Sequence, residues 1–76
     1  MSTSKDFRMV SVESSNIKAV GYDPEREVLQ IDFLSGGSYR YSNVPQAIYD
    51  EILEAQTVGR YFATRIKGLY DYERIG

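Results

Sequence analysis

The stretch GGSYRYSNVP, Gly36 to Pro45, sets two tyrosines around one arginine, between a glycine pair and a Val-Pro. Ser38-Tyr39-Arg40-Tyr41-Ser42 alternates polar and aromatic residues strictly, the period of a β-strand. Just upstream, Glu27 to Phe33 (EVLQIDF) sets Leu29, Ile31 and Phe33 against Val28, Gln30 and Asp32, so Ser35-Gly36-Gly37 reads as a tight reversal between two strands. The register of this hairpin decides which face the tyrosines take, because a slip of one residue moves every side chain to the opposite face. With Gly36-Gly37 alone as the loop, Tyr39 sits across from Leu34 and Tyr41 from Asp32, and Arg40 lies against Phe33 on the core side. With Ser35, Gly36 and Gly37 as a three-residue loop, Tyr39 pairs with Phe33, Tyr41 with Ile31, and Arg40 points to water. Glycine suits both loops. Burying Arg40 without a partner would cost roughly several kcal/mol, whereas two tyrosines with hydroxyls at the rim of a thin sheet cost little. The pattern favours core-facing tyrosines; the two-residue loop, with both rings bare, is the alternative.

Ile17 to Tyr22 (IKAVGY) reads as a further strand, closed by Asp23-Pro24-Glu25-Arg26 as a type I turn with Asp first and Pro second. Arg8 to Glu13 alternates too loosely to define a strand, and residues 1–7 are expected to be a flexible N-terminus ahead of one domain over 8–76. Pro45 opens a helix as its first residue, where a missing N–H costs nothing. On it Ile48, Ile52 and Ala55 share a face widened by Tyr49, while Asp50, Glu51 and Glu54 face out. Thr57 can cap a second helix reaching about Lys67, with Val58, Tyr61, Phe62, Ile66 and Leu69 as its buried stripe and Gly68 as its stop. The tail Tyr70 to Ile75 either adds a short strand or trails off. The fold class is α+β, a three-stranded antiparallel β-meander followed by two helices packed on one face.

A chain of 76 residues makes one small domain; it buries only about 60% of its unfolded surface. It contains neither cysteine nor histidine, which removes disulfides, thiolate metal sites and the usual neutral-pH acid or base. No apolar run approaches membrane-spanning length, so no membrane contact is expected and the expected compartment is the cytoplasm. The net charge of −2 disfavours strong non-specific nucleic-acid binding. The charge is uneven, however. Residues 19–57 carry seven carboxylates against Arg26 and Arg40, whereas residues 58–70 carry Arg60, Arg65 and Lys67 and no acid. Such a block is either a solvated helix face or a local anion-facing surface. Glu25 and Glu27 lie on a turn and Asp50, Glu51 and Glu54 on an outward helix face, and the glycine pair joins two strands rather than a strand and a helix. Neither arrangement suits catalysis, and no enzyme activity, cofactor or metal is expected.

Taken in order, Ser14-Ser15-Asn16-Ile17, Gly21-Tyr22-Asp23, Leu29-x-Ile31-x-Phe33, Gly36, Tyr39-x-Tyr41, Val44-Pro45, Tyr49, Gly59-x-Tyr61-Phe62 and Ile66 resemble the KTSC domain. That family is named for its occurrence at the C-terminus of some lysyl-tRNA synthetases, and it also occurs as single-domain bacterial proteins, which this chain resembles over residues 10–70. The resemblance implies no catalytic residues, and through the synthetase association it implies RNA as a possible partner. It makes Tyr39 and Tyr41 the signature pair, and Gly36 and Pro45 the turn and helix-start positions. A tail that keeps Ile66 and Tyr70 but closes with Asp71 and Glu73 weakens a basic-tail reading.

Two functions follow as expectations. The first is a protein-interaction or self-association module, whose outer sheet face carries Val28, Gln30, Asp32, Leu34 and Arg40. The second is an RNA-binding domain for tRNA-like or single-stranded RNA, with Tyr39 and Tyr41 stacking bases and Arg40, Arg60, Arg65 and Lys67 holding phosphates. Arg65 also has a structural reading, its stem along the core edge and its head on a carboxylate or the last carbonyls of the first helix. Gly36, Gly37, Pro45 and Gly59 read as structural.

Overall fold

The computed structural model of the chain describes residues 8–76. The flexible segment expected over residues 1–7 lies outside the described residues. Five strands and two helices follow in order: β1 Val10–Ser11, β2 Ile17–Asp23, β3 Val28–Phe33, β4 Ser38–Tyr41, α1 Gln46–Glu54, α2 Val58–Arg65 and β5 Tyr72–Arg74. The sheet has five strands, not three. Its order is β1-β2-β3-β4-β5, with every neighbouring pair antiparallel. The loosely alternating segment near Val10 supplies two residues, enough to pair Val10 with Val20 and Ser11 with Ala19. The tail returns along β4, so both helices are an insertion between two adjacent strands.

The central hairpin takes a register that neither loop count anticipates. Ile31 pairs with Tyr39 and Leu29 with Tyr41. The Phe33 N–H donates to the Gly37 carbonyl at 2.8 Å, and the Gly36 N–H to the Phe33 carbonyl at 3.0 Å, so the loop is Leu34-Ser35-Gly36. It has three residues, as expected, but begins one residue earlier. The cause is conformational: Gly36, at φ +112°, carries the left-handed step that closes such a loop. Gly37 is already in the ladder, where an added Cβ would stand 3.2 Å from Tyr39 Cε1. The pairing moves by two positions, which preserves the face. Tyr39 and Tyr41 lie with Leu29 and Ile31, and Arg40 lies with Gln30 on the other side.

The inner face of the sheet and both helices enclose one core. Ile17, Val20, Leu29, Ile31 and Tyr41 of the sheet pack with Val44, Ile52, Val58, Phe62 and Ile66. Fully burying one such side chain contributes about 1.5–3 kcal/mol. Each helix differs from expectation at an end. Pro45 is the residue before α1 rather than its first, with ψ at 151°, and its carbonyl accepts the Ile48 N–H at 3.0 Å. Thr57 does precede α2, but its hydroxyl makes no capping bond. Ile66 and Lys67 both donate their N–H to the Phe62 carbonyl, at 3.0 and 2.9 Å, which ends the helix before Gly68. Leu69 therefore leaves the helical stripe and is 64% exposed rather than buried.

The first reversal is longer than read: Asp23 pairs with Val28, so the loop runs from Pro24 to Glu27, and Glu27, at φ +57°, stands outside the strand. The Asp23 carboxylate accepts the N–H groups of Glu25 and Arg26 at 3.0 and 3.4 Å, and Arg26 pairs with it at 3.8 Å. Among the described residues no helix is long and apolar enough to cross a membrane.

Candidate functional site

The helices cover only part of the inner face. Alternation along β5 sends Tyr72 and Arg74 inward, opposite Tyr41 and Tyr39, and Glu73 outward, opposite Arg40. Tyr41, near the helices, is buried, Tyr39 is half-buried and Tyr72 is 61% exposed. The inner face thus grades from core to open surface across three tyrosines. Where it opens lies a cleft of about 450 Å³, whose floor and walls include Phe33, Tyr39, Tyr41, Phe62 and Tyr72, with Lys67 and Arg74 at its margin.

The rings hold one another in edge and tilted contacts. Phe33 meets Tyr39 at 5.6 Å and 84° and Phe62 at 5.5 Å and 73°. Tyr72 leans over both signature tyrosines, 5.7 Å from Tyr39 and 5.4 Å from Tyr41. Such contacts add about 0.5–1.5 kcal/mol each beyond area burial and fix the ring planes. The Arg74 guanidinium lies 5.8 Å from the centre of the Tyr39 ring, and its Nε donates to the Gly76 carbonyl at 2.8 Å. Burial, together with Tyr72 and Tyr39, raises the Tyr41 phenol above its ordinary range, so it stays neutral at physiological pH. The cleft lining contains two cations and no carboxylate, on a chain whose net charge is −2.

Of the residues proposed from sequence, the structure brings Tyr39, Tyr41 and Lys67 together at this cleft. Arg40 is on the opposite face, where its Nε donates to Gln30 Oε1 at 2.9 Å and Gln30 Nε2 donates to Asp32 Oδ1 at 3.0 Å. Arg60 borders a separate hollow with Ser14, Asn16, Thr57 and Gly59. Arg65 is exposed, with its guanidinium 6.0 Å from the Tyr61 ring centre, rather than along the core edge with a carboxylate. The Tyr61 hydroxyl itself donates to Glu51 Oε1 at 2.5 Å, tying α2 to α1.

Among the cleft residues not foreseen as a site are Asn16, Phe33, Tyr72 and Arg74. The signal for two of them was present in Tyr72-Glu73-Arg74, where alternation separates the acid from the arginine.

Gly59 serves α2 by close approach. A Cβ there would stand 2.6 Å from Asn16 Oδ1 and 3.4 Å from Ser14 Oγ. The Ser14 hydroxyl accepts the N–H groups of Asn16 and Ile17, both at 3.2 Å, and donates to Asn16 Oδ1 at 3.0 Å. The helix start therefore rests on a small hydrogen-bonded turn whose polar atoms leave no room for a side chain.

The polar turn at Ser14–Ile17, the paired tyrosines and the Gly59 contact belong together in one recognisable pattern. The model of the KTSC domain matches residues 13–70. The chain belongs to the KTSC domain family. The fold of this KTSC domain is also that of a crystal structure of a KTSC domain protein from Yersinia pestis, with a TM-score of 0.90, 35% identity, and coverage of 93% of this chain and 100% of that one. An uncharacterized protein of Stutzerimonas stutzeri is 41% identical over 70 residues, 91% of this chain and 99% of its own length. A lysine–tRNA ligase of Nostoc sp. is 38% identical over 69 residues, 91% of this chain but 12% of the ligase. The KTSC domain thus occurs both as nearly the whole of a small protein and as a minor part of a large ligase.

Proposed function

We propose that this KTSC domain is a non-enzymatic module that binds single-stranded RNA in the aromatic cleft. The observation that carries the reading is the joint placement of Tyr39, Tyr72, Lys67 and Arg74 around one open hollow without an acid in its lining. Aromatic faces stack bases at about 1–3 kcal/mol per base, and flanking cations hold the adjoining phosphates. Tyr72 supplies the accessible ring, Tyr39 the inner wall, and Lys67 and Arg74 the phosphate contacts. Tyr41 and Phe33 support them from beneath. The likeness to part of lysine–tRNA ligases favours RNA as the nucleic acid.

The test is fluorescence anisotropy with short single-stranded RNA across a salt series. Two phosphate contacts give a slope of log affinity against log salt of about −1.4. Tyr72→Ala should weaken binding about tenfold or more, and replacing Lys67 and Arg74 by alanine should flatten the salt dependence. Absence of binding at the lowest salt would dispose of the reading.

A second reading, a protein-contact or self-association module, draws on a different observation: both helices sit on the inner face, and among the described residues no element covers the outer face of the sheet. That face presents the Arg40–Gln30–Asp32 chain of hydrogen bonds, and Leu34 is 57% exposed at the adjoining hairpin tip. Sedimentation over a range of concentrations tests it, with a strictly monomeric chain counting against self-association.

A further inference from the structure

Asn16 lies between the aromatic cleft and the hollow beside α2, and lines both. Its two ends are not equivalent. Oδ1 accepts the Ser14 hydroxyl at 3.0 Å and faces Gly59, both of which belong to the hollow. That engages Oδ1 on the side of the hollow, while Nδ2 makes no hydrogen bond among the described residues. An amide nitrogen is a donor only. The charged groups of the cleft, the Lys67 ammonium and the Arg74 guanidinium, are also donors only.

We infer that Asn16 is a specificity-determining residue that selects keto-bearing bases, uracil and guanine, over amino-bearing ones, cytosine and adenine. This rests on the RNA reading of the cleft. A base stacked against Tyr72 and Tyr39 turns an edge toward Asn16. Uracil presents a carbonyl oxygen at the position where cytosine presents an amine, as guanine does relative to adenine. The carbonyl accepts from Nδ2–H, whereas the amine would set donor against donor and leave both unpaired in a partly desolvated cleft. A site built to complete a hydrogen bond rejects the analogue that leaves its polar group unmatched. The Ser14 hydroxyl already accepts the N–H groups of Asn16 and Ile17, so it is left to act as a donor and disfavours the carboxamide's turning over to accept the amine. Ser14 is thus a positioning residue, acting through Asn16.

The experiment compares 5′-labelled U4 and C4 tetranucleotides against the full chain at low ionic strength. U4 should bind about tenfold more tightly than C4. Asn16→Ala should bring the ratio near one, and Asn16→Asp, which puts an acceptor where the donor was, should favour C4. Ser14→Ala, which frees the carboxamide to turn, should narrow the ratio without removing stacking, and it serves as the readout where Asn16→Asp fails to fold. Equal binding of U4 and C4, with both weakened by Tyr72→Ala, would overturn the selectivity while leaving the RNA site in place. Failure of both tetranucleotides to bind would remove the RNA site and the selectivity with it.

Discussion

Gly36, Gly59 and Tyr61 each carry one physical constraint that a single substitution exposes. At φ +112°, Gly36 holds a conformation that a Cβ disfavours. Gly36→Ala should therefore lower stability by about 1–2 kcal/mol, read from the urea midpoint at unchanged slope. Space is open around Gly36, so the loss is conformational. Gly59→Ala meets the opposite situation, with Asn16 Oδ1 only 2.6 Å away. It should cost about 1–3 kcal/mol, and it should partly recover when Asn16→Ala removes the obstructing oxygen. Tyr61 adds a pH dependence. Burial first, then its hydrogen bond to Glu51 and that residue's charge, push the phenol from 10.0 up to about 12. Between these values the folded state keeps a proton that the unfolded chain has released. The contribution is complete below pH 10 and is lost as pH rises toward 12. Urea unfolding on both sides of this window should show a shallower alkaline decline in Tyr61→Phe than in the parent. A decline remains in the variant because Tyr22, Tyr41 and Tyr49 are also shifted upward.

β5 is the element on which site and fold meet. All three of its residues are exposed, yet its pairing with β4 brings Tyr72 and Arg74 to the cleft. Tyr72→Ala should leave the thermal midpoint nearly unchanged, a loss of about 1 kcal/mol at most, while RNA binding falls. A large drop in stability with unaltered binding would assign Tyr72 to packing alone. β5 also shows what sequence reading can and cannot reach. The strand β3, the Asp23 turn and the buried faces of both helices are legible because apolar periodicity and turn chemistry are local. The inward turn of Tyr39 and Tyr41 was legible because side-chain parity survives a two-position change in pairing. The return of the tail to β4 is non-local: from sequence the tail reads either as a short strand or as a trailing end, and three residues give no local signal that decides between them or names a partner strand. In the sheet the outward Glu73 sits opposite Arg40, and Arg74 stands on the Tyr39 ring. Core or surface was also too coarse a choice for the tyrosines. One face holds both a buried Tyr41 and a half-buried Tyr39, because the helices stop short of the sheet's edge.

At the scale of the whole molecule, one thin core has to hold five strands. A chain of this length has an expected stability of roughly 4–11 kcal/mol. Ile31 is fully buried at the centre of the sheet, so Ile31→Ala, costing about 2–5 kcal/mol, should unfold a measurable fraction at room temperature and shift the urea midpoint sharply. The same thin core explains the division of faces: helices fill the inner side only as far as the apolar residues extend, and the remainder opens as the cleft. On the RNA reading, net acidity is no bar to an anion there, because the local pair of cations, rather than net charge, sets the field at short range. The most direct measurement is a residue-resolved NMR titration of the full chain with U4 RNA at low salt. The account predicts that amide signals of Gly37, Tyr39, Lys67, Gly68, Tyr72 and Arg74 move together along one binding curve. Signals that move instead at Gln30, Asp32 and Arg40, or none that move at all, would contradict it.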